Sequence, residues 1–234
     1  MEQCRTPWAP VLSVTGGVSK SPAATLEAGA PLLDLESCDR MRSGLLKYVD
    51  LLKAWAPKVN LVSREDLPDL MERHLLPALA LSPAICSVPH RRIVDVGSGA
   101  GLPAIPLALL LPSVGFWLVE SRRRRAHFLK HAVRKLGLDN VEPVWARVED
   151  WSPPVRADIL LSRAVTDPAS LAQLGHHCLA PSGLMLVTSG PETQNRPQNM
   201  RALLAVDSHI HTSSRASLLQ PNLFSATGRE NCGQ

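Results

Sequence analysis

A glycine-rich run near the middle of the chain has the residue types of a ligand-binding loop. The apolar segment 93–96 leads into Gly97-Ser98-Gly99-Ala100-Gly101, in which three glycines alternate with small residues. Glycine lets the backbone turn sharply, and it lets a ligand approach without meeting a Cβ. A helix predicted to begin near Pro103 would add free N–H groups and the positive end of its dipole. The run therefore predicts a binding site at the end of a strand.

The spacing of the run separates three kinds of glycine loop. The dinucleotide-binding fingerprint places its third glycine where this chain has Leu102. A P-loop requires Gly-Lys-Ser/Thr, and the run contains no lysine. The pattern that remains, Asp95-x-Gly-x-Gly-x-Gly, resembles the first motif of class I S-adenosylmethionine-dependent methyltransferases.

Two further features follow in the order that this resemblance implies. In such enzymes an acid at the end of the second strand holds the ribose hydroxyls of S-adenosylmethionine, and Glu120 follows the apolar segment 116–119. The third predicted strand, 141–145, leads into Ala146-Arg147-Val148-Glu149, where the adenine would be held. The alternative is a solvated Glu120 after a purely structural glycine turn.

Four consecutive arginines, Arg122, Arg123, Arg124 and Arg125, stand at the start of a helix predicted over 123–136. Positive charge at a helix N-terminus opposes the helix dipole, so local stability does not explain the run. Such a basic face suits phosphates, whose contacts give affinity for RNA without sequence information. A solvated basic face is the alternative, and for a charge run it is the more common case.

The segment after the fourth predicted strand, 159–161, carries a single fixed cation. It reads Ser162-Arg163-Ala164-Val165, whereas enzymes that methylate the exocyclic amine of adenine usually place Asn/Asp-Pro-Pro-aromatic here. Arg163 is therefore the candidate catalytic residue, at the mouth of the site. A structural salt bridge with Asp95 or Glu149 is the alternative role.

Periodicity predicts the elements that must position these residues. Short apolar strands (93–96, 116–119, 141–145, 159–161 and 184–187) alternate with helices (103–111, 123–136 and 168–178). This alternation predicts an α/β fold, a parallel sheet with helices on both faces, and its ligands should gather at the carboxyl ends of the strands. Two helices precede it, from Asp34 to Pro57 and from Ser63 to Pro77, where the proline should bend or end the second helix.

Composition and punctuation divide the 234 residues into four parts. We expect a poorly ordered extension over 1–33, a small N-terminal helical portion over 34–86, a methyltransferase core over 87–190 and a divergent C-terminal segment over 191–234. In the last part only 202–206 and 218–219 have strand-like character, and they are expected to complete the sheet weakly. The 45% hydrophobic content supports a folded core and excludes wholesale disorder.

The sequence argues against a transmembrane segment, a disulfide framework and a metal site. No apolar run reaches the roughly 18–20 residues that span a bilayer. The five cysteines are scattered without a Cys-x-x-Cys pair, which favours reduced thiols in the cytoplasm over disulfides or zinc. His127 and His131 stand four residues apart without a third metal ligand in position, so no metal is expected.

Several motifs together resemble one family. The chain carries Val59-Asn60-Leu61-Val62-Ser63, Glu72-Arg73-His74-Leu75-Leu76, Asp95-Val96-Gly97-Ser98-Gly99-Ala100-Gly101-Leu102-Pro103, Glu120-Ser121 and Ser162-Arg163-Ala164 in that order. Over about 45–190 it is similar to the RsmG (GidB) family, whose members are cytoplasmic bacterial enzymes with a Rossmann-like sheet and an N-terminal helical portion. They use S-adenosylmethionine to methylate N7 of a guanine in 16S ribosomal RNA.

The resemblance assigns roles to individual residues. The donor would be held by Asp95, Gly97, Gly99, Gly101, Leu102, Glu120, Val148, Glu149 and Arg163. Asn60 and His74 would face the RNA, which would be naked 16S ribosomal RNA or the assembling small subunit, and the protein would act as a monomer away from membranes.

Three positions depart from the family pattern: Pro77 replaces an Asp, Ala104 a Gly and Ser189 a Lys. They keep a second interpretation open, a diverged methyltransferase of the same fold that acts on another RNA or a small molecule. A third, a non-enzymatic RNA-binding factor, is disfavoured because RNA binding alone requires neither the glycine run nor Glu120.

Guanine N7 offers an exposed lone pair without a proton, so its methylation needs no general base. The expected reaction is an in-line displacement in which alignment of the reactants can supply roughly 7–11 kcal/mol of the barrier.

Overall fold

The strands that the structure describes form one mixed seven-stranded sheet. The computed structural model describes residues 39–86, 91–163, 168–189, 200–208 and 214–221, so the predicted extension over 1–33 lies outside it. The strands are β1 (Arg92–Val96), β2 (Gly115–Glu120), β3 (Val141–Trp145), β4 (Ala157–Arg163), β5 (Leu179–Ser189), β6 (Met200–Ser208) and β7 (Ser214–Pro221). Their order across the sheet is β3-β2-β1-β4-β5-β7-β6.

The first five strands are parallel, as predicted, and the last two are not. β1 pairs with β2 and β4, β2 with β3, and β4 with β5, all in parallel register. β7 is antiparallel to both β5 and β6. The strand order reverses between β1 and β4, so the carboxyl ends of these two strands mark the crevice where open sheets bind ligands.

Helices cover both faces of the sheet. They are α1 (Asp39–Trp55), a π-helical turn (Met71–Leu75), α2 (Leu76–Leu79), α3 (Ser82–Cys86), α4 (Ala104–Leu110), α5 (Arg123–Leu136) and α6 (Pro168–Gly175), with 3₁₀ turns at Val148–Asp150 and His176–Cys178. Alternate strand residues serve opposite faces: Ile93 belongs to the cluster under α1, α4 and α5, and Val94 to the cluster under α6. The predicted two-sided α/β arrangement is therefore present.

The N-terminal helices share the hydrophobic core of the sheet. Leu45 and Leu52 of α1 are fully buried in the same cluster as Ile105 of α4 and Phe128 of α5. Because each side chain of this kind contributes about 1.5–3 kcal/mol when buried, α1 derives its stability from the face it shares with the sheet.

The helix predicted from Ser63 begins later than expected. The Ser63 hydroxyl accepts the Asp66 N–H (3.2 Å), but turns continue until the π-helical turn begins at Met71. Leu76 then donates its N–H to the Met71 carbonyl, five residues back, and the chain passes through Pro77 into α2. Of the two outcomes predicted for Pro77, a bend or an end of the helix, the second is not observed, because the proline lies in the first turn of α2, where no backbone N–H donor is needed.

Other boundaries differ by a few residues. α4 begins at Ala104 rather than Pro103, and the predicted helix 168–178 closes at Gly175 before a 3₁₀ turn. β4 and β5 extend well beyond their apolar centres, because backbone pairing continues through polar residues. The segments 202–206 and 218–219 lie within β6 and β7.

Within the described ranges, no helix is both long and apolar enough to cross a bilayer.

Candidate functional site

The glycine run forms a tight loop between β1 and α4. Gly97, Gly99 and Gly101 have φ angles of 69°, 57° and 85°. Residues other than glycine rarely adopt such positive values. The Gly97 and Ser98 N–H groups both donate to the Val119 carbonyl of β2, at 2.9 and 3.2 Å. The loop therefore closes over the carboxyl ends of β1 and β2, as predicted from its sequence.

Two of these glycines do different work. A Cβ on Gly99 would meet only the Gly97 carbonyl and the Arg125 guanidinium, at 3.7 and 3.8 Å, so a ligand can approach the backbone here. A Cβ on Gly101 would lie 2.5 Å from Ile105 and 3.1 Å from Leu129. Gly101 thus lets α4 and α5 pack closely against the loop.

We expect Gly101→Ala to destabilise the protein by roughly 2–4 kcal/mol, because strain at a positive φ adds to overpacking in the core. Gly137→Ala is the matched control, since Gly137 also has a positive φ (64°) but a Cβ added there would meet nothing within 4 Å. Denaturant unfolding should show the control losing only the cost of the positive φ, about 1–2 kcal/mol. Equal losses in the two variants would contradict the packing role of Gly101.

Glu120 ends β2 as expected and is already bonded to the loop. One carboxylate oxygen accepts the Gly99 N–H at 2.9 Å and the other accepts the Arg122 N–H at 2.7 Å. The side chain is buried. A carboxylate can accept about four hydrogen bonds, so further acceptor positions remain for two ribose hydroxyls.

Asp95 is the second buried carboxyl group of the site. It lies near the end of β1 with 1% exposure, and its Oδ2 atom has no hydrogen-bond partner. Burial raises the pKa of Asp95 to about 8, although a hydrogen bond from Ser98 and the charge of Arg163 act in the opposite direction. An unpaired buried oxygen of this kind fits a ligand that brings its own donor or positive charge.

Arg163 is joined to His74 and Asp66 by a chain of hydrogen bonds. An Arg163 Nη nitrogen lies 2.8 Å from His74 Nδ1, and His74 Nε2 lies 3.0 Å from an Asp66 carboxylate oxygen. Because the guanidinium can only donate, Nδ1 must accept and Nε2 must carry the proton. His74 is therefore assigned as neutral, and burial together with the Arg163 charge lowers its pKa.

The series of hydrogen bonds that begins at Arg163 ends at the carboxylate of Asp66. Partial burial would raise the pKa of Asp66, but hydrogen bonds and charge from Ser63 and His74 outweigh it and lower the pKa. Asp66 also accepts a hydrogen bond from Arg73 at 2.9 Å. Asp66 was not predicted as a site residue, because its position three residues after Ser63 indicated only a helix cap.

The alternative role considered for Arg163, a salt bridge to Asp95 or Glu149, is not what the structure shows: its bonding partner is His74. Burial lowers the pKa of the Arg163 guanidinium, while Tyr48 and Asp95 raise it. Arg163 thus acts on Asp95 through charge at the mouth of the site.

Two contacts tie the N-terminal portion to the rest of the site, one to the glycine loop and one to α5. The fully buried Tyr48 hydroxyl of α1 donates to the Ala100 carbonyl at 2.6 Å, and burial raises the pKa of this phenol well above its usual value. Arg125 donates through Nε to the Asn60 carbonyl at 3.0 Å. The sequence did not predict a site role for Tyr48, because this residue lies beside the apolar stripe of its helix, which indicates only burial.

The remaining predicted site residues lie around this centre. Leu102 is buried at the end of the loop, Val148 is buried in the 3₁₀ turn after β3, and Glu149 beside it is exposed. The Ala146 N–H donates to the Glu120 carbonyl at 3.2 Å, which holds the end of β3 beside β2. Ala104, one of the departures from the family pattern, opens α4 in a helical conformation that alanine favours.

The four arginines open α5 as predicted. Arg122 is the N-terminal cap residue of α5, without a side-chain capping bond. Arg122, Arg123 and Arg124 are exposed, and Arg125 is half-buried.

In the described parts of the chain, no group of three or more His, Cys, Asp or Glu side chains could hold a metal ion.

Comparison with known proteins places the chain in a family. Residues 41–222 match the family model GidB, described as rRNA small subunit methyltransferase G. The match extends past Gly190, where the predicted resemblance ended, because the closing strands β6 and β7 are included.

Individual relatives agree with this match. Ribosomal RNA small subunit methyltransferase G of Alteromonas mediterranea is 35% identical over 201 residues, which are 85% of this chain and 90% of that protein. The protein of the same name from Stenotrophomonas maltophilia is 37% identical over 170 residues, 73% of this chain and 78% of that protein.

Solved structures bear on the fold. MtNAS in complex with MTA and tNA matches with a TM-score of 0.54 at 16% identity, covering 84% of this chain and 81% of MtNAS. A mutant of MtNAS in complex with S-adenosylmethionine matches with a TM-score of 0.51 at the same identity, covering 84% of this chain and 83% of that one. The predicted class I, Rossmann-like sheet is confirmed. Because the family model spans most of the chain and the relatives exceed 30% identity, the chain belongs to the rRNA small subunit methyltransferase G (GidB) family.

Proposed function

We propose that this protein transfers a methyl group from S-adenosylmethionine to N7 of a guanine in 16S ribosomal RNA. The observation that carries the proposal is the hydrogen-bond chain from Asp66 through His74 to Arg163 at the end of β4. It fixes a cation beside the glycine loop and leaves the histidine at this position without a free acceptor nitrogen. The site can therefore orient a base but has no histidine free to remove a proton.

The donor pocket consists of the glycine loop and two carboxyl groups. The open backbone at Gly99 and the remaining acceptor positions of Glu120 fit the sugar and its neighbouring atoms. The unpaired Asp95 oxygen fits an ammonium group, which would supply the missing hydrogen bond. When bound, S-adenosylmethionine supplies a methyl group on a positively charged sulfur. Leu102, Val148 and Glu149 complete the pocket.

The hydrogen bonds at both ring nitrogens of His74 favour guanine N7 as the target atom. An amine target must lose a proton, and a base must accept it. Guanine N7 carries a lone pair and no proton, so it can form the new bond to the methyl carbon while the carbon–sulfur bond breaks. Positive charge passes from sulfur to the purine ring, and no proton moves. Arg163 then has the role of positioning the guanine through O6, one of the two acceptors that arginine commonly reads, and it leaves the N7 lone pair free for the methyl group.

The basic start of α5 and Asn60 face the RNA in this proposal. Phosphate contacts by Arg122, Arg123 and Arg124 would give affinity that falls with rising salt. The substrate is free 16S ribosomal RNA or the assembling small subunit in the cytoplasm, and a splayed single base can enter the pocket.

Incubation of unmodified ribosomal RNA and of small subunits with labelled donor tests the proposal. We expect one methylated guanine, and chemical cleavage specific for N7-methylguanosine should map it. Label on an exocyclic amine or on a ribose would show that the target atom is wrong. Donor binding without any label in either RNA would point instead to a different substrate for the same fold.

A further inference from the structure

A groove of about 480 Å³ lies outside the donor pocket, between the end of α1 and the first turns of α5. Its lining combines aromatic rings with cations: Trp55, Trp145, Lys58, Arg123, Arg124 and Lys130. A cavity of this size fits a ligand of nucleotide dimensions. From the sequence, the arginines were predicted to contact phosphates, and neither tryptophan had a predicted role.

Trp145 is an exposed ring held in a fixed position. Its side chain is 55% exposed, which is unusual for tryptophan among the described residues. The indole N–H donates to the Ser121 carbonyl at 3.1 Å, and the Arg123 guanidinium lies 5.7 Å from the ring centre. The ring is therefore held at its edge and covered by Arg123 on one face, and the exposed remainder of the indole is where a base would stack.

Trp55 forms the opposite wall of the groove. Its ring packs on Phe128, His127 and His131, with centroid distances of 5.6, 5.8 and 5.0 Å. These contacts anchor α1 to α5 and fix the position of the wall. The two aromatic walls are thus held in place before a ligand binds, which lowers the entropy cost of binding.

Among the residues that the structure describes, no carboxylate forms an ion pair with a cation of the groove. Within the ranges that the structure describes, Asp66 and Asp69 form ion pairs with Arg73 and His74, and neither acid lies at the groove. Arg123, Arg124 and Lys130 lie on the first two turns of α5, whose dipole adds further positive potential. An anionic ligand would relieve this concentration of positive charge.

From these observations we infer that the groove binds one nucleotide of single-stranded RNA, with its base stacked on Trp145 and its phosphate held by Arg124 and Lys130. Aromatic rings beside cations are the usual means of binding single strands. This inference deepens the proposed function, because the nucleotide would belong to the strand that carries the methylated guanine.

The position of Arg125 supports a continuous RNA path. Arg125 contacts Asn60 on one side and lies next to Gly99 of the donor pocket on the other. The groove residues Arg123 and Arg124 precede it on the same helical turn. A strand that leaves the donor pocket across Arg125 therefore reaches the groove within one turn of α5.

The test measures binding of a labelled single-stranded RNA of about ten nucleotides, and of a duplex of equal length. Trp145→Ala should weaken single-strand binding about 5- to 100-fold, since stacking of one base on an aromatic ring accounts for such a change. Trp145→Phe should retain most of the affinity. Calorimetry with S-adenosylhomocysteine should give the same affinity in both variants, because the donor pocket is unchanged.

Lys130→Gln and Lys135→Gln form a matched pair on the same helix with the same change in charge. Only Lys130 lines the groove. The slope of log affinity against log salt should fall by about 0.7 for Lys130→Gln and remain near the wild-type value for Lys135→Gln. Both positions are exposed, so neither variant should unfold.

The outcomes separate this inference from the proposed function. Wild-type affinity in Trp145→Ala, equal slopes for the two lysine variants, or duplex binding as tight as single-strand binding would each overturn the groove assignment. If ribosomal RNA is not methylated but these variants behave as expected, the groove assignment stands and the proposed reaction fails.

Discussion

Replacement of Arg163 by alanine is expected to lower kcat/KM for ribosomal RNA methylation by about a hundredfold or more. The loss combines a missing charged hydrogen bond to the guanine with disorder of a base that must be aligned for in-line attack. The variant also leaves His74 Nδ1 without its donor. Steady-state kinetics with saturating donor and varied RNA will measure the effect.

Two variants separate the charge of Arg163 from its geometry. Arg163→Lys keeps the charge but offers no planar fork, so it should recover only part of the activity. His74→Gln keeps an acceptor for the guanidinium and should lose less than Arg163→Ala. Full activity in Arg163→Ala at saturating RNA and donor would show that this arginine does not position the target.

Asp95→Asn is expected to stabilise the ligand-free protein while weakening donor binding. The folded state keeps a proton on Asp95 until about pH 8, whereas the unfolded chain releases it near the ordinary value of 3.8. Between these values the folded state binds more protons, so wild-type stability falls as pH rises. Asparagine has no such proton and escapes the penalty.

The melting temperature of Asp95→Asn should therefore exceed that of wild type by an amount that grows from pH 5 to pH 8, reaching roughly 5–10 °C. Donor affinity should fall about tenfold or more, because a charged hydrogen bond to the ammonium is lost. Thermal unfolding across this pH range and calorimetry at pH 8 provide the two measurements. A stability difference that shrinks with rising pH would contradict the buried, protonated state of Asp95.

Much of the geometry of the proposed donor site could be predicted from local sequence. The glycine loop, Asp95 and Glu120 follow directly from strands that are short and apolar, and parallel strands bring their carboxyl ends together. The loop conformation itself is encoded by glycines whose positive φ angles other residues avoid. Such features need no knowledge of distant contacts.

The link between His74 and Arg163 could not be predicted in this way. The two residues are 89 positions apart, and their pairing depends on how the π-helical turn packs against the end of β4. The same holds for Tyr48, whose helical periodicity indicates only burial. The closing strands were weakly predicted because they depend on backbone pairing, of β7 with β5 and of β6 with β7, rather than on an apolar pattern.

The bond from the Tyr48 hydroxyl to the Ala100 carbonyl has an evolutionary and practical consequence. Through this bond α1 is joined directly to the glycine loop, so the N-terminal helices are not an independent module. A chimaera that carries the N-terminal helices of a relative on this sheet would therefore disturb the glycine loop unless the hydrogen bond between Tyr48 and Ala100 were kept. Substitutions that change the target should be better tolerated at the exposed start of α5, where side chains can vary without contacting the glycine loop.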